Sequence, residues 1–233
     1  MTGCDPARIG AVVQARMESQ RFFGKVLYEV AGKPLLQYLL ERLRHSCLAD
    51  AIVVATSGEA GDDPIADFCQ AGGFFCHRGS LENVASRFRE VLDLRGFEAF
   101  VRVNGDSPLL DQRLIDRGVD IFLNHDVELV TNVQPRTYPP GQSVEVMAAE
   151  AFKQGFARMR DRDDLEHVTR YFYRHAGAFK IINFTAPRDY GDVHLAVDTD
   201  KDMRLFAAIM GRMEKPHWLY GLDEILEIYR QVT

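Results

Sequence analysis

Three cationic side chains fall close together near the start of the chain. Arg16, Arg21 and Lys25 share one short segment with Ser19 and Gly24. Arginine presents a planar fork of donors that matches phosphate oxygens, and lysine adds a compact positive charge. Backbone N–H groups of such a segment can also bind phosphate. The segment therefore predicts a triphosphate-binding loop, although its spacing alone fits a solvated basic loop equally well.

The basic segment differs from two common nucleotide-binding motifs. A P-loop needs glycine at the position of Ser19 and serine or threonine at the position of Val26. No G-x-G-x-x-G fingerprint follows the apolar run at 9–15. Neither motif explains the cluster of cations.

Two distant aspartates are candidate metal ligands. Asp106 follows an apolar run at 99–103, and Asp198 follows another at 193–197. Mg²⁺ prefers hard oxygen ligands and usually takes one or two carboxylates plus substrate phosphates. A turn and a helix cap explain the same residues, because Thr199 can cap a helix whose first turn accounts for Asp200. We therefore assign metal binding to Asp106 and to Asp198 in preference to Asp200.

Glu166 and His167 lie near the start of a predicted helix. Adjacent residues point in different directions, so the two cannot form a simple acid–base dyad, and the H-E-x-x-H zinc pattern is absent. Helix capping and a hydrogen-bonded core histidine explain the pair without any function. No G-x-S-x-G or supported Cys/His nucleophile occurs, which fits a reaction whose substrate supplies the nucleophile.

Strands and helices alternate in the first half of the chain. Apolar runs predict strands at 9–15, 51–56, 74–76 and 99–103, and helices at 34–43, 63–71, 80–94 and 111–123. This βαβαβαβα order predicts a mostly parallel sheet with helices on both faces. Ligands on such sheets bind at the carboxyl ends of the strands, where the basic segment and Asp106 fall.

The second half is less regular. We predict strands at 127–133, 144–148, 179–184 and 193–197, and helices at 149–160, 165–175, 199 onward and 222–231. The residues that choose an acceptor are expected at 132–169.

Composition excludes several classes of protein. The 233 residues carry a net charge of −6, which disfavours a nucleic-acid partner. No apolar run is long enough to cross a membrane and no signal peptide is expected. The four cysteines form no C-x-x-C pair, so we expect reduced thiols in a cytoplasmic protein.

Ordered motifs along most of the chain resemble one family. The N-terminal segment Gln14-Ala-Arg-Met-x-Ser-x-Arg-x-x-Gly-Lys-Val-Leu27 is followed by Gly32-Lys-Pro-Leu35; later blocks begin at Arg78, Arg102, Glu166 and Val197. Together they resemble the cytidylyltransferases that make CMP-linked sugar acids, above all the branch of spore-coat polysaccharide and flagellin modification. CMP-Kdo synthetase and acylneuraminate cytidylyltransferase are relatives of this branch. Any one block is weak, but the ordered set is fairly specific.

The resemblance implies a fold and a set of roles. It implies one α/β domain over 1–233, Rossmann-like and related to the glycosyltransferase-A fold, with 132–185 as an acceptor-binding and dimerisation subregion. It implies a homodimer, Mg²⁺, CTP, and a sugar or sugar-acid substrate. The implied catalytic residues are Arg16, Lys25 and Asp106; the metal ligands are Asp106 and Asp198; the acceptor residues are Glu166 and His167. The implied nucleotide-binding residues are Gln14, Ala15, Arg16, Ser19, Arg21, Lys25, Thr56, Arg78, Gly79, Ser80, Arg102 and Asn104.

This chain departs from the family pattern at two places. Phe22 and Phe23 stand where the family usually has Leu-Pro, and Leu81 and Asn83 replace residues of a usually more acidic block. Both departures bear on base specificity more than on the fold.

Three functions remain open at this point. The first is transfer of CMP from CTP to an acceptor with release of pyrophosphate. The second is a glycosyltransferase that uses Asp198-Thr-Asp200 as a D-x-D motif. The third is a nucleotide-binding module without catalysis.

Overall fold

A seven-stranded sheet forms the centre of the protein. The computed structural model describes residues 9–19, 22–48 and 51–233. The strands are β1 (Ile9–Gln14), β2 (Glu29–Val30), β3 (Lys33–Pro34), β4 (Ile52–Ser57), β5 (Phe75–Gly79), β6 (Ala99–Asn104), β7 (Leu129–Thr131), β8 (Glu145–Ala148) and β9 (Ile181–Asn183). The helices are α1 (Leu35–Leu43), α2 (Asp63–Gly72), α3 (Val84–Arg95), α4 (Gln112–Asn124), α5 (Ala149–Phe156), α6 (Arg162–Glu166), α7 (Arg170–Arg174), α8 (Asp200–Met210) and α9 (Leu222–Val232).

The sheet has the order β5-β4-β1-β6-β8-β7-β9, and β2 and β3 form a separate small ribbon. The first four strands of this order pair in parallel, whereas β8 runs antiparallel to both β6 and β7. Gln14 is paired with Asn104 on one side and Ala55 on the other. The carboxyl ends of four strands therefore meet at one edge, as the sequence predicts.

Helices cover both faces of the sheet because both faces are apolar. Val13 and Val54 pack into a core with α1, α2, α4, α8 and α9. Val12 and Val53 point the other way, into a second core built mainly from α3, α5 and α7. This alternation is the period of a strand buried on both sides. The predicted α/β class, with helices on both faces of a mostly parallel sheet, is confirmed.

The segment at 193–197 is not a strand. Its alternating pattern is real, since Val193, Leu195 and Val197 are buried. Its backbone partners, however, lie in loops: the Leu195 N–H donates to the Pro140 carbonyl and the Val197 N–H to the Asp106 carbonyl, both at 2.8 Å. Burial alone thus produces the period-two pattern here.

The helix predicted at 165–175 is interrupted. His167 has non-helical dihedral angles (φ −104°, ψ 56°), so α6 ends at Glu166 and α7 begins at Arg170. Two β-branched residues, Val168 and Thr169, occupy the break and are buried. The helix predicted at 80–94 begins later than expected, because Asn83 caps it by accepting from the Ser86 N–H at 2.8 Å.

A buried arginine joins α1 to two loops. Arg42 is fully buried and donates to the carbonyls of Leu110, His217 and Tyr220 at 2.5–2.7 Å. Burial lowers its pKa to about 10, so the guanidinium stays charged at neutral pH. Within the described residues, no helix is long and apolar enough to span a membrane.

Candidate active site

Lys25 lies between two carboxylates. Gly24 adopts φ +71°, a conformation that favours glycine, and its N–H donates to the Met17 carbonyl at 2.8 Å. This turn starts a short 3₁₀ helix at Lys25–Leu27 and directs Lys25 inward, where it is only 7% exposed. The Lys25 Nζ donates to one oxygen of Asp106 and one of Asp198, each at 3.0 Å.

The two aspartates are brought together by backbone contacts. The Val197 N–H donates to the Asp106 carbonyl at 2.8 Å, which fixes the two segments side by side. The Asp202 carboxylate accepts from the Asp198 N–H at 3.1 Å and completes a capping box with Thr199. Burial opposes ionisation of Asp202, but these hydrogen bonds outweigh it and lower its pKa. Asp198 therefore reaches the site from a capped loop and not from a strand.

Asp200 points away from this cluster. Its carboxylate pairs with Arg204 at 2.6 Å on the surface of α8. Asp198 and Asp200 thus have different partners, which disfavours a D-x-D pair that holds one metal ion. Asp198, and not Asp200, contacts Lys25, and metal binding by Asp198 stays a prediction.

A buried aspartate that the sequence interpretation missed fixes the basic loop. Asp62 accepts from the Met17 N–H at 2.6 Å and from the Ser57 hydroxyl at 2.5 Å. It thereby ties the segment after β1 to the end of β4. Ser19 lies half-buried in the same loop, whereas Arg21 is outside the described residues.

Two buried polar atoms at the strand ends have no hydrogen-bond partner among the described residues. They are the Thr56 hydroxyl oxygen and the Asn104 carbonyl oxygen of the side chain. Buried polar atoms are normally hydrogen-bonded, so these two oxygens are available to accept from a further donor. Ala15, directly after β1, is buried, and its N–H donates to the Ala55 carbonyl at 3.2 Å.

The end of β5 is held by side chains around it. Arg78 donates to the carbonyls of Ser57 and Glu59 at 3.0 and 2.9 Å and pairs with Asp63 at 2.7 Å. Any Cβ at Gly79 would lie 2.9 Å from the buried Arg87 side chain, so glycine is needed there for close packing. Ser80 is exposed and accepts from the Asn83 N–H at 3.1 Å.

Glu166 and His167 face different parts of the site. Glu166 pairs with Arg16 at 2.9 Å, on the side of the basic loop. His167 instead lines a neighbouring pocket. The predicted divergence of these adjacent side chains is confirmed.

This pocket has a volume of about 270 Å³. Its lining is rich in cations and comprises Arg102, Asn104, Val133, Arg136, Ser143, Glu145, His167, Thr169, Arg170 and Tyr173. Most of these residues lie in the irregular half of the chain. Asn104 lines the pocket while Asp106, two residues later, contacts Lys25, so the pocket adjoins the carboxylate cluster.

A buried polar network forms one wall of the pocket. Glu145 is buried and accepts from Arg102 at 2.6 Å and from the Tyr173 hydroxyl at 2.5 Å. Arg102 also donates to the Gln14 side chain at 3.1 Å. Burial, reinforced by the Glu145 carboxylate, raises the pKa of Tyr173, so its hydroxyl remains a donor. Arg102 therefore links the end of β1 to the pocket wall.

Comparison with known proteins places this geometry in context. The model of a family described as Cytidylyltransferase matches residues 11–227. The chain belongs to the cytidylyltransferase family. The resemblance carried by the ordered motifs is confirmed, and the chain is accordingly a nucleotidyltransferase.

The chain is similar in sequence or in structure to several other proteins. It is 30% identical over 208 residues to the spore coat polysaccharide biosynthesis protein SpsF of Bacillus subtilis, covering 85% of this chain and 84% of that protein. It is 37% identical over 113 residues to a 3-deoxy-manno-octulosonate cytidylyltransferase of Geobacter sulfurreducens, covering 48% and 44%. The solved structure of a cytidylyltransferase from Leptospira borgpetersenii superposes with a TM-score of 0.92 at 26% identity, covering 96% and 94%.

Proposed function

We propose that this protein transfers CMP from CTP to a sugar or sugar-acid acceptor and releases pyrophosphate. The observation that carries the proposal is the convergence of Asp106 and Asp198 on the Lys25 ammonium, at the sheet edge where β1 and β6 end. A cation already bridges the two carboxylates, which is the environment that a divalent ion requires. The use of CTP as donor rests on the family, and the binding of an acceptor rests on the adjoining pocket.

The carboxylates fit Mg²⁺. Asp106 and Asp198 are 27% and 32% exposed, so both can reach an ion that also contacts water and phosphate. Among the described residues no group of three or more His, Cys, Asp or Glu side chains could hold a metal, so substrate oxygens would complete the coordination. When bound, Mg²⁺ would stabilise negative charge on the phosphate oxygens.

The protein's own side chains would position the substrates. Lys25 and Arg16 would neutralise the triphosphate, and an acceptor hydroxyl in the pocket would attack the α-phosphate. Thr56 and Asn104 carry the unpaired buried atoms and would hydrogen-bond the nucleotide. The 132–185 subregion supplies most of the pocket lining, which supports its role in acceptor binding.

Pyrophosphate release with each of the four NTPs tests the reaction. We expect turnover with CTP and Mg²⁺ and an acceptor, and a loss of roughly 10²–10³-fold in Asp106→Asn and Asp198→Asn, by analogy with removal of one transition-state contact. Asp200→Asn is the matched control, since Asp200 pairs with Arg204 on the surface. Equal turnover with all four NTPs would remove the cytidylyl assignment. Equal losses of activity in Asp198→Asn and Asp200→Asn would contradict metal binding by Asp198.

The homodimer and the cytoplasmic location stay predictions. They rest on the family resemblance and on cysteine usage, respectively.

A further inference from the structure

Arg87 is a buried cation to which the proposed reaction gives no role. It is 2% exposed, and no carboxylate in the parts of the chain that the structure describes lies at ion-pair distance from it. Its Nη1 donates to the Ala55 carbonyl at 3.4 Å, the outer limit of a hydrogen bond, and its Nε has no partner among the described residues. Because buried polar groups are normally hydrogen-bonded, Arg87 keeps a donor available for a further acceptor.

The surroundings of Arg87 disfavour its charge. It is the fourth residue of α3, close to the helix N-terminus, where the helix dipole disfavours a cation. Burial, and next the positive charge of Arg16, lower the pKa of Arg87. The carboxylates of Asp62, Glu166 and Glu90 act in the opposite direction but offset only part of this effect. A carboxylate that came into direct contact would therefore stabilise the guanidinium.

Of these three carboxylates, Glu166 is the one that substrate binding would release. Asp62 already accepts from backbone and hydroxyl donors of two loops, and Glu90 contacts His77 at 2.7 Å on the surface. Glu166 is held by Arg16 alone among the described residues, at 2.9 Å, and both side chains of this pair are partly exposed. Arg16 is also the side chain expected to bind the triphosphate, so Glu166 would lose its partner when nucleotide arrives.

We propose that Arg87 is a positioning residue that receives the Glu166 carboxylate when Arg16 turns to the triphosphate. The helices that carry the two residues, α3 and α6, pack against each other, so the carboxylate would pass between the guanidinium groups by a change of side-chain rotamer. The transfer gives the unpaired Nε an acceptor in a charge-assisted hydrogen bond. It also keeps an unpaired negative charge from repelling the phosphates. The inference rests on the proposed function, because the triphosphate is what draws Arg16 away.

A double-mutant cycle of CTP binding tests the transfer. Arg87→Met should weaken CTP binding roughly 5- to 12-fold, the range between an exposed ion pair and a hydrogen bond to a charged group. In Glu166→Gln no carboxylate has to be moved, so adding Arg87→Met should change the affinity by less than about 2-fold. Calorimetric titration with CTP and Mg²⁺ measures all four proteins. Arg89→Met is the matched control and should bind CTP like the wild type, because Arg89 lies on the same helix and pairs with Asp93 on the surface at 2.7 Å.

The cycle separates this role from a merely structural one. Equal losses of affinity with Glu166 and with Gln at position 166 would mean that Arg87 acts independently of Glu166, and unchanged affinity in Arg87→Met would mean that it does not act at all; either overturns the proposal. Urea unfolding checks that Arg87→Met folds, and we expect little loss of stability because the guanidinium makes one long hydrogen bond. If that variant does not fold, Arg87→Lys enters the same cycle. It keeps the charge but lacks the Nε–H, so it should show a smaller loss that also disappears in Glu166→Gln.

The outcomes distinguish this inference from the reaction. If the wild-type protein binds another NTP and not CTP, the proposed function fails, and the same cycle with that nucleotide still decides the role of Arg87. If CTP binds and is turned over but the losses are equal in both backgrounds, the proposed function stands and the inference fails. If no NTP binds, both fail. A crystal structure with CTP bound gives a direct readout: Glu166 at hydrogen-bond distance from the Arg87 Nε supports the transfer, and Glu166 still paired with Arg16 overturns it.

Discussion

Replacement of Lys25 should have opposite effects on metal binding and on catalysis. The Lys25 ammonium occupies the space between Asp106 and Asp198, so a divalent ion has to displace it before both carboxylates can bind. With nucleotide bound, the same ammonium is expected to turn to the phosphates. Lys25→Met should therefore bind a divalent ion more tightly without nucleotide and yet turn over more slowly.

The size of the first effect follows from the contact distances. One charge pair at 3.0 Å is worth roughly 1.4 kcal/mol in water and about four times more at an effective dielectric constant of 20. Because the two carboxylates are 27% and 32% exposed, solvent screens each pair and keeps its energy near the lower value. Relief from one or two such contacts amounts to about 1.4–2.8 kcal/mol, or about 10- to 100-fold in affinity.

Electron paramagnetic resonance of free Mn²⁺ measures the first effect, and pyrophosphate release measures the second. We expect tighter Mn²⁺ binding in Lys25→Met and a loss of roughly 10²–10³-fold in kcat. Lys201→Met is the matched control, because Lys201 is exposed on α8 close to Asp198 in sequence. The reasoning would be refuted if Lys25→Met bound Mn²⁺ with unchanged affinity or kept its turnover. Either result would mean that the Lys25 ammonium does not move from the carboxylates to the phosphates when nucleotide binds.

Three further predictions concern the frame of the site. Gly105→Ala places a Cβ 2.9 Å from the Gln14 carbonyl oxygen, so we expect urea unfolding to show a loss of about 1–3 kcal/mol in stability, together with a raised KM for CTP. Gly177→Ala is the control, because a Cβ there meets open space and should change neither quantity. Arg42→Met removes a buried cation and leaves three carbonyl groups without their donor, so it should lower the free energy of unfolding by about 4 kcal/mol. A smaller loss would indicate that water donates to these carbonyls in place of the guanidinium. Burial lowers the pKa of His217 from 6.5 to about 4, so the unfolded chain takes up this proton first as the pH falls. The contribution of His217 to stability should thus be fully present above pH 6.5 and decline by about 3 kcal/mol toward pH 4, a decline that urea unfolding of His217→Gln should lack.

The strand ends that build the site could be predicted from sequence because each follows a buried apolar run. Their meeting could be predicted less directly, since β1 lies between β4, the next strand of the main sheet along the chain, and the distant β6. Lys25, Asp106 and Asp198 were identified by residue type and by family resemblance. The geometry brings all three together, and the distances could not have been obtained from periodicity.

The residues that sequence interpretation missed have ordinary local explanations. Asp62 precedes an Asp-Pro pair and looks like a helix-start residue, whereas its carboxylate actually ties two loops together. Glu145 did leave a signal, as a charge between Val144 and Val146 in an apolar strand. No sequence pattern indicates that Arg136 lines the pocket, because a charged residue in a proline-containing loop is normally solvated.

The break between α6 and α7 explains how the proposed nucleotide and acceptor sites can share a wall. In one continuous helix, Glu166 and Arg170 would be four residues apart on the same face. The break at His167 lets Glu166 pair with Arg16 while Arg170 lines the pocket. Arg16 cannot keep Glu166 and also give its full guanidinium to a triphosphate. Nucleotide binding should therefore loosen Glu166 from Arg16, directly beside His167 of the proposed acceptor pocket, and would couple the two substrates through a single ion pair.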